Sequence, residues 1–161
     1  MKKLLPYIVL LILLAGCGAL RQIPEEKQRI SEAVTRRLDA VDYRIEVSYM
    51  IPLRGGGKAV SGGYSVAVES SVVHSHLPYA GVARTIPYGG GKGLSFTDDV
   101  DEYSDSGWRK GERVIVFSTN NDEDIIVYTL TIFDNGEADI HVHCRNRDDI
   151  SFRGTLDTRG E

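Results

Sequence analysis

The pattern of apolar and polar residues changes once along the chain, and this change predicts one helix followed by strands. Apolar residues recur at helical spacing from Ile30 to Val41, as in an amphipathic helix over about residues 25–40. From Tyr43 onward apolar and polar residues alternate, which is the period of a half-buried strand. Strand segments are predicted at 43–51, 64–69, 71–77, 79–87, 94–96, 113–118, 125–133, 138–144 and 150–152.

The links between these segments are short and rich in turn-forming residues. Asp134-Asn135-Gly136 gives the clearest hairpin signal, because Asn-Gly accepts the positive φ angles of a tight primed turn. The links after Tyr43 leave no room for repeated crossover helices, which argues against a parallel sheet. We therefore predict a mainly β fold, an antiparallel meander of about eight or nine strands curled into a barrel or half-barrel, with one N-terminal helix.

The N-terminus has the features of a secretory signal. Lys2 and Lys3 precede an apolar run at residues 4–15, which is shorter than the roughly 20 residues of a membrane-spanning helix. The sequence Leu14-Ala15-Gly16-Cys17 resembles the bacterial lipobox, in which the cysteine becomes the first mature residue and is acylated. The predicted organisation is a signal peptide at 1–16, a lipidated tether at 17–24, a β-rich domain with its helix at 25–156, and a polar tail at 157–161.

The lipobox resemblance implies a location in the cell envelope. Fatty acyl chains on Cys17 would hold the protein on a membrane without a spanning segment. Gly18 stands where an Asp would retain many lipoproteins at the inner membrane, so the outer membrane is favoured by the same resemblance. An ordinary secreted protein is the alternative. With Cys17 lipidated, only Cys144 remains, so the chain has no internal disulfide.

Length and charge narrow the classes of function. The 161 residues suit one domain, and 42% hydrophobic with 26% charged residues is a globular composition. The formal net charge of -4 argues against nucleic acid as a partner, because phosphates need a basic surface.

Several short motifs in the middle and at the end of the chain occur together in one family. They are Gly63-Tyr64-Ser65-Val66, Leu77-Pro78-Tyr79-Ala80-Gly81-Val82-Ala83, Pro87-Tyr88-Gly89-Gly90, Gly93-Leu94-Ser95-Phe96 and Ile150-Ser151-Phe152-Arg153-Gly154. In this order they resemble the lipoprotein family called domain of unknown function 4251, over about residues 41 to 156. That family usually has an aromatic at the position of Ala80. It has no established activity, so the resemblance implies a β-rich lipoprotein domain and no catalytic residues.

Two histidine pairs are candidate metal ligands. His74 and His76, like His141 and His143, are spaced so that both side chains of a pair lie on one face of a strand. If the two strands are neighbours, four imidazoles meet and suit Zn²⁺ or Cu²⁺. The alternative is that these are ordinary polar residues on the solvent face.

Acidic and aromatic residues supply the other candidate sites. Calcium prefers oxygen-rich loops, although acidic turns are more often only solvated. The two acidic clusters are Asp98, Asp99, Asp101, Glu102 and Asp105, and Asp122, Glu123 and Asp124.

Three aromatic residues lie in or beside glycine-rich links, namely Tyr79, Tyr88 and Trp108. Exposed aromatics at such positions often bind sugars or proteins. The alternative is that Tyr79 and Tyr88 fix loops to the sheet.

The sequence contains no recognisable catalytic motif. It has no G-x-S-x-G elbow, and Cys144 lies on a predicted apolar face, where a thiol is inert. We therefore predict a non-enzymatic envelope lipoprotein that binds a ligand or a protein partner, with no cofactor beyond the covalent lipid. Three alternatives stay open. They are a carrier with an apolar cavity under the helix, a hydrolase of envelope glycans with two carboxylates about 5–9 Å apart, and a metal-binding domain.

Overall fold

The fold is a curled antiparallel sheet with one helix, and the structure, a computed structural model, describes residues 22–84, 93–121 and 123–159. Helix α1 (Gln22–Asp39) comes first. The strands are β1 (Asp42–Pro52), β2 (Lys58–Ala59), β3 (Ser65–Glu69), β4 (Val72–Leu77), β5 (Leu94–Asp99), β6 (Glu102–Arg109), β7 (Glu112–Asn121), β8 (Asp124–Phe133), β9 (Glu137–Cys144) and β10 (Ile150–Leu156). The predicted fold class is confirmed.

The strands of the half-barrel form one sheet in which β1 and β10 are central neighbours. The order is β5-β4-β3-β1-β10-β9-β8-β7-β6, with β2 paired to β1 outside this path, so the first long strand lies beside the last. The two edges, β5 and β6, are consecutive in the chain. Val100 donates its N–H to Ser71 O (2.8 Å), and Asp101 donates its own to Ser118 O (2.9 Å). The chain thus crosses from one edge to the other within two residues.

The concave face of the sheet holds a filled apolar core. The Phe117 and Tyr128 rings stack with centroids 4.8 Å apart, and the Tyr128 hydroxyl donates a hydrogen bond to Ser75 Oγ (2.9 Å). Val34 and Leu38 of α1 are 0% exposed and belong to the same cluster. Side chains therefore occupy the space beneath the helix, where a hydrophobic cargo would need a cavity.

One end of the half-barrel, which we call the helix end, gathers α1 and the hairpins that follow β3, β6 and β8. Ser70 N donates to Val41 O (2.8 Å), and Leu156 N donates to Gly136 O (2.8 Å). The Arg113 guanidinium donates to Asp39 at the end of α1 (2.6 Å) and also bonds Asp105. In the part of the chain that the structure describes, no helix has both the length and the apolarity to cross a membrane.

The strand predictions hold best where alternation is strict. In β9, Ala138, Ile140, Val142 and Cys144 are buried and the residues between them are exposed. Strand β6 was not predicted, because its Asp105 and Gly107 interrupt the apolar pattern. The predicted strand at 79–87 is wrong over its described part, since residues 79–84 make only an isolated bridge, Ala83 to Arg147. Residues 85–87 lie outside the described part.

The hairpin between β8 and β9 is at the predicted place, but its turn is of another type. Its loop has three residues, and only Gly136 among them has a positive φ, of 85°. Gly136 N donates to Phe133 O (2.9 Å), and the Asn135 side chain accepts from Glu137 N (3.0 Å). This is a three-residue hairpin with glycine in the left-handed position, instead of a two-residue primed turn.

Candidate functional site

The end of the half-barrel opposite α1 is built from segments 53–57, 78–84, 123–125 and 145–149, and we call it the loop end. Backbone hydrogen bonds join three of these segments. Arg84 N donates to Asn146 O (2.8 Å), Asp148 N to Val82 O (3.0 Å) and Arg145 N to Ile125 O (3.1 Å). Residues far apart in sequence thus form one connected surface.

A buried ion pair lies under this surface. Arg147 Nε donates to Asp124 Oδ2 (3.1 Å), and the two side chains are 6% and 0% exposed. Asp124 Oδ1 accepts from Asn146 N (3.0 Å), and Glu123 lies 3.6 Å from the same guanidinium. Because the charges of Arg147 and Asp124 are removed from water, each depends on the other. This pair clamps the β9–β10 link to the turn before β8.

The surface above the clamp exposes apolar side chains and arginines. Among the described residues, the large hydrophobic side chains that are exposed are Leu53 (62%), Val82 (57%) and Ile125 (39%), and all three belong to the loop end. Arg54, Arg84 and Arg145 are exposed beside them. This surface was not predicted from the sequence, where its only signal was an isolated Leu or Val next to glycine and arginine.

Tyr79 and Trp108, two of the three predicted aromatic ligands, lie at different ends of the half-barrel. The Tyr79 hydroxyl donates to Asp148 O (3.1 Å), and its ring lies 5.7 Å from the Arg147 guanidinium carbon, so Tyr79 fixes the 78–84 segment to the β9–β10 link. Trp108 is half-buried on β6, opposite Arg113 near the helix end. Tyr88 lies outside the described residues, as does Cys17, the residue predicted to be lipidated.

The four histidines are on the outer face of the sheet and are not brought together. Strands β3, β1 and β10 separate β4, with its pair, from β9. Each Nδ1 lies within hydrogen-bond distance of the neighbouring strand or link. The partners of His74, His76, His141 and His143 are Thr97, Ser95, Ser151 and Asp149 (2.8–3.2 Å). Within the described residues no group of three or more His, Cys, Asp or Glu side chains could hold a metal ion. The predicted four-imidazole site required the two strands to be neighbours, and they are not.

Most of the acidic residues proposed for calcium lie in strands or already have partners. Asp98 and Asp99 belong to β5, and Glu102 and Asp105 belong to β6. Glu123 and Asp124 contact Arg147. The hydrogen bonds from Arg113 to Asp105 hold the pKa of that carboxyl below its usual range. Asp122 lies outside the described residues.

A recess of about 180 Å³ near the helix end offers the carboxylates that a glycan hydrolase would need. Its lining includes Asp42, Glu69 and Asp157. Asp42 lies 3.4 Å from Arg37. Hydrogen bonds from the backbone and side chain of Arg159 lower the pKa of Asp157. A general acid needs a raised pKa, whereas the pKa of Asp157 is lowered.

A second recess, of about 480 Å³, lies between the outer face of β1 and the 60–65 segment. Its charged and aromatic groups already contact other protein groups. Arg44 donates to Ser65 Oγ (2.8 Å), and Glu46 pairs with Arg159 (3.3 Å). The Tyr64 ring lies against His76, with centroids 5.2 Å apart. The side chains that could bind a ligand in this recess are therefore engaged within the protein, unlike the exposed arginines of the loop end.

The one described cysteine is buried in the sheet. Cys144 is 2% exposed, and burial, with the nearby charge of Asp124, raises the pKa of its thiol to about 12.

The raised pKa predicts an unreactive thiol, because thiolate is the reactive form of cysteine. In a Cys17→Ser chain at a pH of about 8, we expect Cys144 to react with a disulfide reagent on the order of a thousandfold more slowly than a free cysteine. Absorbance of the released thiolate measures this rate. Concentrated urea should restore full reactivity, and rapid reaction without urea would show that β9 opens in the folded state.

These features define the class of protein, a single-domain antiparallel β half-barrel with a helix at one end and a clamped loop surface at the other. The chain belongs to the family described as "Domain of unknown function (DUF4251)", whose model matches residues 25–156. The predicted family resemblance is thereby confirmed.

A solved relative supports the fold. The crystal structure of a DUF4251 family protein from Bacteroides eggerthii DSM 20697, at 1.95 Å resolution, superposes with a TM-score of 0.59 at 19% sequence identity. The match covers 79% of this chain and 86% of that chain. No curated protein matches this chain.

Proposed function

We propose that this protein is a non-enzymatic envelope lipoprotein, anchored in the outer membrane through acyl chains on Cys17, that binds a protein partner. The observation that carries the proposal is the clamp between Arg147 and Asp124, which lie 3.1 Å apart. It fixes several surface segments into one shape at the loop end. A fixed surface lowers the entropic cost of binding, because its side chains and loops are already ordered.

The position of the anchor supports the same proposal. Cys17 lies five residues before the start of α1 at Gln22, so a fully extended tether would span at most about 18 Å. Helix α1 docks at the helix end, through Val34 and Leu38. We propose that the anchor holds the α1 side of the domain toward the membrane, which leaves the loop end where another envelope protein can reach it.

The anchoring half of the proposal is tested by a change at one cysteine. Cells that make the full chain with Cys17→Ser should no longer incorporate labelled palmitate into it, and the protein should leave the membrane fraction, because the acylated thiol is absent. Immunoblots of membrane and soluble fractions measure the shift. Cys144→Ser is the matched control and should stay labelled and membrane-bound. Continued membrane association of Cys17→Ser without label would contradict a lipid anchor.

A further inference from the structure

We infer that the loop end binds an acidic surface of another envelope protein, through apolar contacts and arginine–carboxylate pairs. This inference rests on the proposed function of a protein-binding module. The residues assigned to the surface are Leu53, Val82 and Ile125 for the apolar contacts, and Arg54, Arg84 and Arg145 for the charged ones.

The exposed large hydrophobic side chains of the described residues are concentrated at the loop end. Single exposed hydrophobics scattered over a surface need no explanation. Here the large ones exposed among the described residues are 62%, 57% and 39% exposed at Leu53, Val82 and Ile125, and all three lie at the same end. Leu53 follows Pro52, whose strand partner is Ile150. Val82 O accepts a hydrogen bond from Asp148 N, two residues before Ile150. The β9–β10 link thus connects their neighbourhoods, so one partner surface would cover them together.

Each of these three apolar side chains has an arginine beside it. Arg54 follows Leu53, and Arg84 is two residues after Val82. Arg145 N donates to Ile125 O (3.1 Å). All three arginines are exposed, and within the described residues no carboxylate lies within ion-pair distance of any of them.

The loop-end segments contain four arginines and four carboxylates, but Glu123 and Asp124 contact Arg147 and Asp149 contacts His143. Asp148 accepts a hydrogen bond from Val82 N. Carboxylates of a partner protein are the electrostatic complement of the three exposed arginines.

The same chemistry favours a protein over two other anionic partners. An anionic polysaccharide would satisfy the arginines but would leave the three aliphatic side chains in water. A lipid surface would satisfy both groups, but in the proposed arrangement the anchor holds the α1 side of the domain, and not the loop end, toward the membrane. An acidic protein surface with apolar positions matches both groups and is accessible at the end away from the anchor.

The test is site-specific photocrosslinking of the full, lipidated chain in the cells that naturally produce it. A photoreactive phenylalanine derivative is placed at Leu53 or Val82, and in matched controls at Arg109 or Glu137, which are exposed near the helix end. We expect both loop-end positions to give a discrete adduct with the same second protein, identified by mass spectrometry. The control positions should give none.

Charge reversal then tests the arginines. Arg84→Glu with Arg145→Glu should reduce the adduct about tenfold or more, because the pairs become repulsive. The matched double variant, Arg109→Glu with Lys110→Glu, should leave it unchanged. Thermal unfolding of both variants checks that the fold is retained. A partner surface depleted of Asp and Glu, or an adduct that survives reversal, would overturn the inference.

The remaining outcomes separate this inference from the proposed function. Protein adducts only from the helix-end positions would uphold a protein-binding module and overturn this surface. Adducts of the loop end with lipid, polysaccharide or a second copy of this chain would overturn the acidic protein partner. The absence of protein adducts from every position would overturn both proposals.

Discussion

Asp124→Ala is expected to lower the free energy of unfolding by about 3–5 kcal/mol, since it leaves a buried arginine without its partner. The Asp124 side chain is 0% exposed, and the Arg147 side chain that it pairs with is 6% exposed. The substitution also removes the acceptor for Asn146 N. Urea unfolding followed by circular dichroism measures the change, as a lower midpoint at an unchanged slope.

Two further variants separate the ion pair from general disturbance of the loop end. Glu123→Ala should cost less than Asp124→Ala, because Glu123 lies farther from Arg147, at 3.6 Å, and its side chain is 15% exposed against 0% for Asp124. Asp124→Ala combined with Arg147→Met should recover part of the loss, since no unpaired charge then stays buried. If Asp124→Ala costs no more than Glu123→Ala, the clamp does not hold the loop end.

Gly154→Ala is expected to cost about 3 kcal/mol, because β1 and β10 approach too closely there for a side chain. Gly154 pairs with Val47 in the register of these strands. A methyl group at this position would overlap the carbonyl oxygen of Glu46 and would meet the Ile45 side chain at 3.0 Å. Backbone atoms cannot move aside as the end of a flexible side chain can, so the two strands must separate.

Gly56→Ala is the matched control for this substitution. A methyl group at Gly56 meets nothing within 4 Å, and the backbone there is outside the left-handed region. Its effect should stay within about 0.5 kcal/mol, or be slightly stabilising through the unfolded chain. Differential scanning calorimetry of both variants makes the comparison. Equal unfolding temperatures for the two would show that the β1–β10 pairing has room for a side chain.

The sequence predicted the fold wherever burial alternates regularly. In β8 the residues from Asp124 to Ile132 alternate between buried and more exposed positions, as do those of β9. Strand β6 was not predicted, because a polar residue, Asp105, occupies a position where the alternating pattern requires an apolar one. Asp105 is accommodated there by its ion pair with Arg113. A bulge between Asp105 and Trp108 breaks the register further.

The candidate site could not be predicted in the same way. Asp124 and Arg147 are 23 residues apart, and a single sequence does not reveal which acid and base are buried together. Two roles were predicted for Tyr79, a contact with a ligand or a contact that fixes its loop to the sheet. Its hydroxyl donates a hydrogen bond to Asp148 O, which is the contact expected for the second role. The exposed Leu53 and Val82 have no periodicity that separates them from loop residues.

The pairing of β1 with β10 has a consequence for how the chain reaches its folded form. Paired residues such as Val47 and Gly154 are roughly a hundred residues apart, and closing a loop of that length costs on the order of 4 kcal/mol in entropy. When the chain emerges N-terminus first, one edge of β1 has no partner until the last strand arrives. Folding is therefore expected to be completed only after the last strand has been synthesised, and to be slow for a domain of this size.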